Sequence, residues 1–163
     1  MDVLAAQVGA LLKSHGLMLA TAESCTGGGV AQAISEVAGS SAWFERGFVT
    51  YSNLAKQQML GVSAAVIKQR GAVSEAVVRE MVAGAFKNSA AQVALAVSGI
   101  AGPDGGTADK PVGTVWFAWG LKDGQTVAQR HHIAGDRAAV RAQAVQIALQ
   151  GVVNLLNNHT EMA

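Results

Sequence analysis

Short apolar segments alternate along this chain with segments of helical periodicity. LMLATA at 17–22 and QVALAVSG at 92–99 have the length of buried strands, and WFERGFVTYS at 43–52 is rich in aromatic and β-branched residues. Helices are predicted at 2–15, 26–37, 53–60, 63–69 and 74–87. Strands that alternate with helices predict a sheet covered by helices on both faces.

The last third of the chain adds a hairpin and a long helix. GTVWFAWG at 113–120 and TVAQRHHIAG at 126–135 are predicted strands joined by the turn Lys122-Asp123-Gly124, and Asp136 is predicted to cap a helix that runs to about 156. We therefore expect an α/β fold, a three-layer α/β/α sandwich with a mixed, mostly parallel sheet. Without linkers or repeats, residues 1–163 are predicted to form a single domain.

Composition excludes several classes of protein. Half of the 163 residues are hydrophobic, 14% are charged and the net charge is +1, which argues against a disordered segment and against a nucleic-acid partner. Apolar runs stay below the roughly 18–20 residues that span a bilayer, and the N-terminal segment resembles an amphipathic helix rather than a signal peptide. We expect a cytoplasmic protein without a membrane partner, and a homo-oligomer remains open.

Metal-binding patterns are missing from the sequence. The single cysteine, Cys25, forms no internal disulfide and no cysteine-based zinc site. The histidines lack ligand spacing; they are His15, His131, His132 and His159. We therefore expect neither a metal nor a cofactor, and neither a GxxxxGK[ST] nor a GxGxxG motif is present.

Three segments follow predicted strands, where active sites of open α/β sheets lie: 23–29, 50–56 and 98–107. In the first, ESCTGGG, Thr26 is the predicted helix cap, and the N–H groups around Thr26, Gly27 and Gly28 are candidate donors to an oxyanion or phosphate. The alternative is that Ser24 and Thr26 only cap the helix and the glycines serve packing. Cys25 is interpreted as a packing residue.

In the second segment, Tyr51 and Ser52 end a strand and Asn53 is the predicted cap of the next helix. Lys56, one turn into that helix, is either a solvated surface lysine or a desolvated base that removes a proton from a serine. Lys68 and Lys87 are interpreted as surface charges.

The third segment begins a long glycine-rich loop that is either functional or a mere connector. Its candidate substrate-binding residues are Ser98, Gly99, Gly102 and Thr107. Arg137 and Arg141, at i and i+4 of the last helix, are interpreted as surface charges or, alternatively, as a phosphate clamp.

Six motifs in order, TAESCTGG, GSSAWFERGFVTYSNLAK, GAVSE, VSGIAGPDGG, KPVGTVWFA and GDR, closely resemble the CinA C-terminal domain family from about residue 5 to 155. More narrowly, the chain resembles the stand-alone bacterial members, which are nicotinamide-nucleotide amidohydrolases. The longer members carry an N-terminal domain, and roles tied to that domain are not transferred.

This resemblance implies a serine–lysine hydrolase that converts the carboxamide of nicotinamide mononucleotide to nicotinate mononucleotide and ammonia, in pyridine-nucleotide (NAD) recycling. It assigns the nucleophile to Ser24 and the base to Lys56, with Tyr51 in the catalytic site. Arg137 joins the substrate-binding residues as a candidate phosphate ligand. The alternative function is a nucleotide-binding adaptor domain without turnover.

Overall fold

A computed structural model describes the backbone of residues 2–162 and the side chains of residues 3–158. Five strands form one sheet in the order β2-β1-β3-β4-β5. The strands are β1 Leu19–Glu23, β2 Phe44–Val49, β3 Val93–Gly99, β4 Thr114–Leu121 and β5 Thr126–His132. The helices are α1 Asp2–His15, α2 Gly29–Ser35, α3 Asn53–Leu60, α4 Ala64–Arg70, α5 Glu75–Lys87 and α6 Arg137–Met162. The side chain of His159 lies outside the described residues.

The sheet is mixed, as the sequence predicts. β1 pairs in parallel with both β2 and β3, whereas β4 is antiparallel to both β3 and β5. Four strands therefore run in one direction and β4 alone runs in the other. The carboxyl ends of β1, β2 and β3 consequently meet at one edge, and the three candidate segments emerge there.

Helices cover both faces and bury two separate cores, which confirms the three-layer, single-domain prediction. One core joins α1, α2 and α6 to the larger side chains of the sheet, including Leu95, Val97 and Phe117. The other joins α4 and α5 to a sheet face made largely of alanines, among them Ala20 and Ala94. The alternation along β1 matters for the site, because Glu23 shares the α2-facing side of the strand with Leu19 and Thr21.

Two helix caps differ from the predictions. α2 begins at Gly29 after the left-handed Gly28, with no side-chain cap from either Gly28 or Thr26. Ser52 caps α3 by accepting a hydrogen bond from Ala55 N at 3.0 Å, one residue before the predicted Asn53. Asp136 does cap α6, since its Oδ1 accepts from Ala139 N at 2.9 Å. The structure also contains a 3-10 turn at Ser40–Ala42, which the sequence did not predict.

Among the residues that the structure describes, every helix is too short or too polar to span a bilayer.

Candidate active site

A cavity of about 280 Å³ opens where β1, β2 and β3 end. All three predicted segments contribute to its lining, through residues such as Ser24, Lys56 and Ser98. Arg137, at the start of α6, closes one side. The topology thus brings together residues more than a hundred positions apart in the sequence.

Ser24 and Lys56 form the centre of this site. Ser24 follows β1 directly, and its backbone N–H donates to Val97 O of β3 at 2.9 Å, which fixes it to the sheet. Lys56 lies in the first turn of α3 and is 1% exposed, so it is not the surface lysine of the first interpretation. Its Nζ lies 3.0 Å from Ser24 Oγ.

The surroundings of Nζ suit both protonation states of the amine. Besides Ser24 Oγ, Nζ donates to Thr50 O at 3.0 Å and Tyr51 O at 3.5 Å. A charged amine has three N–H donors for these three oxygens, whereas a neutral one keeps two for the carbonyls and turns its lone pair toward the serine hydroxyl. Burial lowers the pKa of Lys56. The arrangement can therefore receive and return the serine proton without moving heavy atoms.

Glu23 holds the turn that carries Ser24. It is fully buried, and its Oε1 accepts from Thr26 Oγ1 at 2.5 Å and from Val30 N at 2.9 Å. Its Oε2 accepts from Ala31 N at 3.0 Å. This carboxylate therefore does the capping that the sequence attributed to Thr26, and it occupies the N–H groups at the start of α2.

The capped helix restricts where an oxyanion can bind. Gly27 N–H donates to Ser24 O at 3.0 Å, and Gly29 N–H donates to Thr26 O at 3.0 Å. Of the first cluster, Ser24 and Cys25 line the cavity, but Thr26, Gly27 and Gly28 do not. The N-terminus of α2 is therefore closed to a substrate anion, contrary to the expectation from the glycine run.

Arg141 is the second residue that fixes this turn. Its Nε donates to Cys25 O at 3.1 Å and its Nη2 to Thr26 O at 3.3 Å. The surface-charge interpretation of Arg141 is therefore wrong, because the guanidinium holds carbonyl groups of the turn that follows Ser24.

Cys25 is 5% exposed, and burial is the main reason that the pKa of its thiol is raised to about 11. The thiol is therefore protonated at neutral pH, where thiolate chemistry is unavailable to it.

The opposite side of the cavity is solvent-exposed. Tyr51 is 60% exposed, and its hydroxyl accepts from Arg137 Nη2 at 2.9 Å. Arg137 Nη1 donates to Gly102 O at 2.8 Å. Tyr51 thus meets Lys56 through its backbone carbonyl, while its ring and Arg137 form the rim of the cavity.

The glycine-rich loop contributes unevenly. Ser98, Gly99 and Gly102 line the cavity, and Ser98 Oγ donates to Ala72 O at 2.9 Å. A Cβ on Gly99 would lie 2.6 Å from Val115 Cγ2, so this glycine is required by strand packing. Thr107 lies outside the cavity lining, in a turn where its Oγ1 accepts from Lys110 N at 3.1 Å.

Sequence reasoning missed the roles of Glu23 and Arg141, and it did not include Asn53 and Asp104, which also line the cavity. An acidic residue at the end of a buried strand, where hydrophobic residues dominate, was the available signal for Glu23. For the described residues, no group of three or more His, Cys, Asp or Glu side chains is arranged to hold a metal ion.

Comparison with known proteins gives consistent matches. Residues 1–156 match the CinA C-terminal domain family. The chain is 58% identical over 147 residues to nicotinamide-nucleotide amidohydrolase PncC of Escherichia coli, which covers 90% of this chain and 89% of that protein. It is 55% identical over 153 residues to the Pseudomonas putida protein of the same name, with 93% and 94% covered.

Solved structures agree with this. Competence/damage inducible protein CihA from Agrobacterium tumefaciens superimposes with a TM-score of 0.92 at 43% identity, covering 96% of this chain and 94% of that one. Competence damage-inducible protein A (ComA) from Klebsiella pneumoniae gives 0.92 at 44% identity, with 96% of each chain covered.

Proposed function

This chain belongs to the CinA C-terminal domain family, and from that premise we propose that it hydrolyses the carboxamide of nicotinamide mononucleotide to nicotinate mononucleotide and ammonia. The observation that carries the proposal is the buried contact of 3.0 Å between Lys56 Nζ and Ser24 Oγ in a cavity at the carboxyl edge of the sheet. The names of the relatives supply the substrate. In this role the enzyme serves pyridine-nucleotide recycling.

In the first half of the reaction, Ser24 Oγ attacks the amide carbonyl carbon while Lys56 Nζ takes the hydroxyl proton. The same Nζ then gives that proton to the amide nitrogen. The C–N bond breaks, ammonia leaves, and the acyl group stays bound to Ser24 Oγ. Because Thr50 O and Tyr51 O hold Nζ throughout, the proton travels between fixed positions. The backbone N–H group of Cys25, which lines the cavity next to Ser24, is the proposed donor to the oxyanion.

In the second half, water attacks the acyl group with Lys56 as the base. Collapse of the tetrahedral intermediate releases the carboxylate product and returns the proton to Ser24 Oγ. Removal of one oxyanion donor in a comparable site costs about 10²–10³ in rate, so the turn after Ser24 has to be held rigidly. Glu23 and Arg141 provide that rigidity.

Substrate recognition falls to the exposed rim. Arg137 is the proposed ligand of the 5′-phosphate, because its planar guanidinium suits two phosphate oxygens and lies at the edge of the cavity. Tyr51, whose hydroxyl Arg137 contacts, would border the same phosphate or the ribose. Ser98, Gly99 and Gly102 are proposed to contact the remainder of the substrate.

The direct test is incubation of the purified chain with nicotinamide mononucleotide, with ammonia and nicotinate mononucleotide both quantified. Stoichiometric appearance of the two products, absent in the Ser24→Ala variant and unchanged after exhaustive EDTA treatment, is the expected result. Tight binding of the mononucleotide without ammonia release would replace this proposal with the adaptor function. Activity that EDTA abolishes and added zinc or magnesium restores would overturn the metal-free mechanism.

A further inference from the structure

A second cavity, of about 310 Å³, lies beside the first and collects positive charge. Arg70, Lys110 and Arg130 line it together with Trp116. Residues 70–75 contribute to both cavities: Ala72 and Val73 line the active site, while Arg70 and Ser74 line the second space. We call this space the basic cavity.

The cations of the basic cavity lack acidic partners. Across residues 3–158, Arg70, Lys110 and Arg130 have no carboxylate within ion-pair distance. Glu75, the acidic residue in the lining, is paired with Arg79 at 2.8 Å. The potential in this cavity is therefore positive, which favours an anionic ligand.

Two of these cations also anchor the glycine-rich loop. Lys110 Nζ donates to Arg70 O at 2.6 Å, and Arg130 Nη2 donates to Asp109 O at 2.7 Å. An ammonium has three N–H donors and a guanidinium five, so each keeps free donors for a ligand. Anchoring the loop needs only one donor from each side chain and does not explain why three cations line one cavity with a tryptophan.

Trp116 supplies an apolar surface beside that charge. It lies opposite Arg130 in the register of β4 and β5, so the two side chains project from the same face of the sheet. Trp116 is half-buried, whereas Trp43 and Trp119 are 3% and 2% exposed. An accessible indole beside unpaired cations suits a ligand with a flat ring and a phosphate.

We propose that the basic cavity binds a nucleoside phosphate, with the base on Trp116 and the phosphate on Arg70, Lys110 and Arg130. The loop connects this site to the active site, because Asp104 and Gly105 line the first cavity and Lys110 lines the second. A bound nucleotide therefore tightens the loop and changes the KM of the proposed reaction. Binding itself does not depend on that reaction, so the two proposals fail separately.

The tryptophans give a direct measurement. Titration of the wild-type chain with adenosine monophosphate is expected to quench fluorescence saturably, and Trp116→Phe is expected to remove the quenching. Arg70→Ala removes a side chain that makes no hydrogen bond in the described residues, and it is expected to weaken binding at least about tenfold. Lys110→Ala with Arg130→Ala should abolish it, and thermal melts would check the folding of each variant.

Matched controls separate this site from the active site. Arg46→Ala removes an exposed arginine on β2 that lines neither cavity, and should leave the titration unchanged. Arg137→Ala should also leave it unchanged. Quenching that Arg137→Ala abolishes would place the nucleotide in the first cavity and overturn the proposal.

Two smaller ligands test the phosphate contact and the base contact separately. Inorganic phosphate and adenosine should each bind at least about tenfold more weakly than adenosine monophosphate, because each lacks half of the contacts. Equal binding by inorganic phosphate would reduce the site to a general anion site and overturn the base contact. Absence of quenching at millimolar nucleotide, or an affinity for adenosine monophosphate that is unchanged in Arg70→Ala, would overturn the proposal.

Discussion

The two walls of the active cavity are built in opposite ways. The inner wall carries Ser24, 7% exposed, on a turn held by the fully buried Glu23, and Lys56, 1% exposed, in the first turn of α3. The outer wall carries Tyr51, 60% exposed, and Arg137 on the solvent side. On the inner wall the hydrogen bonds converge on backbone groups of the nucleophile turn, whereas on the outer wall two side chains contact each other and one carbonyl.

This difference separates the chemistry from the recognition. A proton transfer needs atoms that stay within hydrogen-bonding distance, and buried, fully paired groups provide that. A phosphate ligand needs donors that exchange water for substrate, and exposed groups do so at lower cost. Changes on the inner wall should therefore affect kcat and stability, and changes on the outer wall should affect KM.

The largest expected effect comes from the inner wall. Ser24→Ala and Lys56→Ala should each lower kcat by at least about 10³-fold, and the double variant should be little worse because the pair acts as a unit. Steady-state assays of ammonia release measure this. If Lys56→Ala retains near-normal kcat, the lysine is not the base.

The next effect is the response to pH. We propose neutral Lys56 as the active base, so kcat/KM should fall about tenfold per pH unit as the pH drops below the lowered pKa of this lysine, and level off above it. A rate that is flat with pH across the region in which this lysine titrates would contradict the proposed base.

The free energy of unfolding should also depend on pH through Lys56. The pKa of Lys56 is lowered on folding, so between the folded and unfolded values the unfolded chain holds more protons and stability rises with pH. Urea titrations at stepped pH should detect that rise in the wild type and find it missing in Lys56→Met.

Glu23→Gln tests whether the turn must be held rigidly. The glutamine amide keeps one oxygen, which can still accept hydrogen bonds from Thr26 Oγ1 and Val30 N. Its NH₂ group then faces Ala31 N–H, so two donors meet and that hydrogen bond is lost. We expect a loss of about 1–3 kcal/mol in the free energy of unfolding. We also expect kcat to fall more than KM changes. Glu36→Gln, an exposed acid at the other end of α2, is the control and should match the wild type in both measurements.

On the outer wall, Arg137→Ala should affect substrate preference more than turnover. The wild type should favour nicotinamide mononucleotide over nicotinamide riboside, and the variant should lose about tenfold of that preference through KM. Arg46→Ala serves as the control. Equal kcat/KM for the two substrates in the wild type would contradict a phosphate anchor altogether, whereas a preference unchanged in the variant would exclude only Arg137.

The smallest effect is expected at Cys25. Its thiol is buried and protonated, so Cys25→Ala should keep activity within about twofold, and a thiol reagent should label the native chain slowly. A folded but inactive Cys25→Ala variant would move the nucleophile from Ser24 to its neighbour.

Local patterns in the sequence sufficed for the sheet and for the position of the cavity. The strands follow from short apolar runs. The places of Ser24 and Lys56 after β1 and β2 made them candidates, and the family resemblance paired them. The roles of Glu23 and Arg141 could not be predicted in this way. Whether Thr26 or Glu23 caps α2 depends on the three-dimensional path of the glycines, and Arg141 reaches Cys25 across 116 positions of sequence. Thr107 shows the opposite error. The sequence made it a candidate substrate-binding residue, but its hydroxyl accepts a hydrogen bond within its own turn and does not line the cavity.

The first turn of α6 also sets the width of the cleft. Arg137 contacts the outer wall and Arg141 the inner wall, and four residues of helix separate them by about 6 Å along its axis. A residue inserted between them would rotate one arginine by about 100° away from its wall. The helix therefore acts as a spacer of fixed length, and changes in the size of the accepted substrate would have to come from the loop and not from this end of α6.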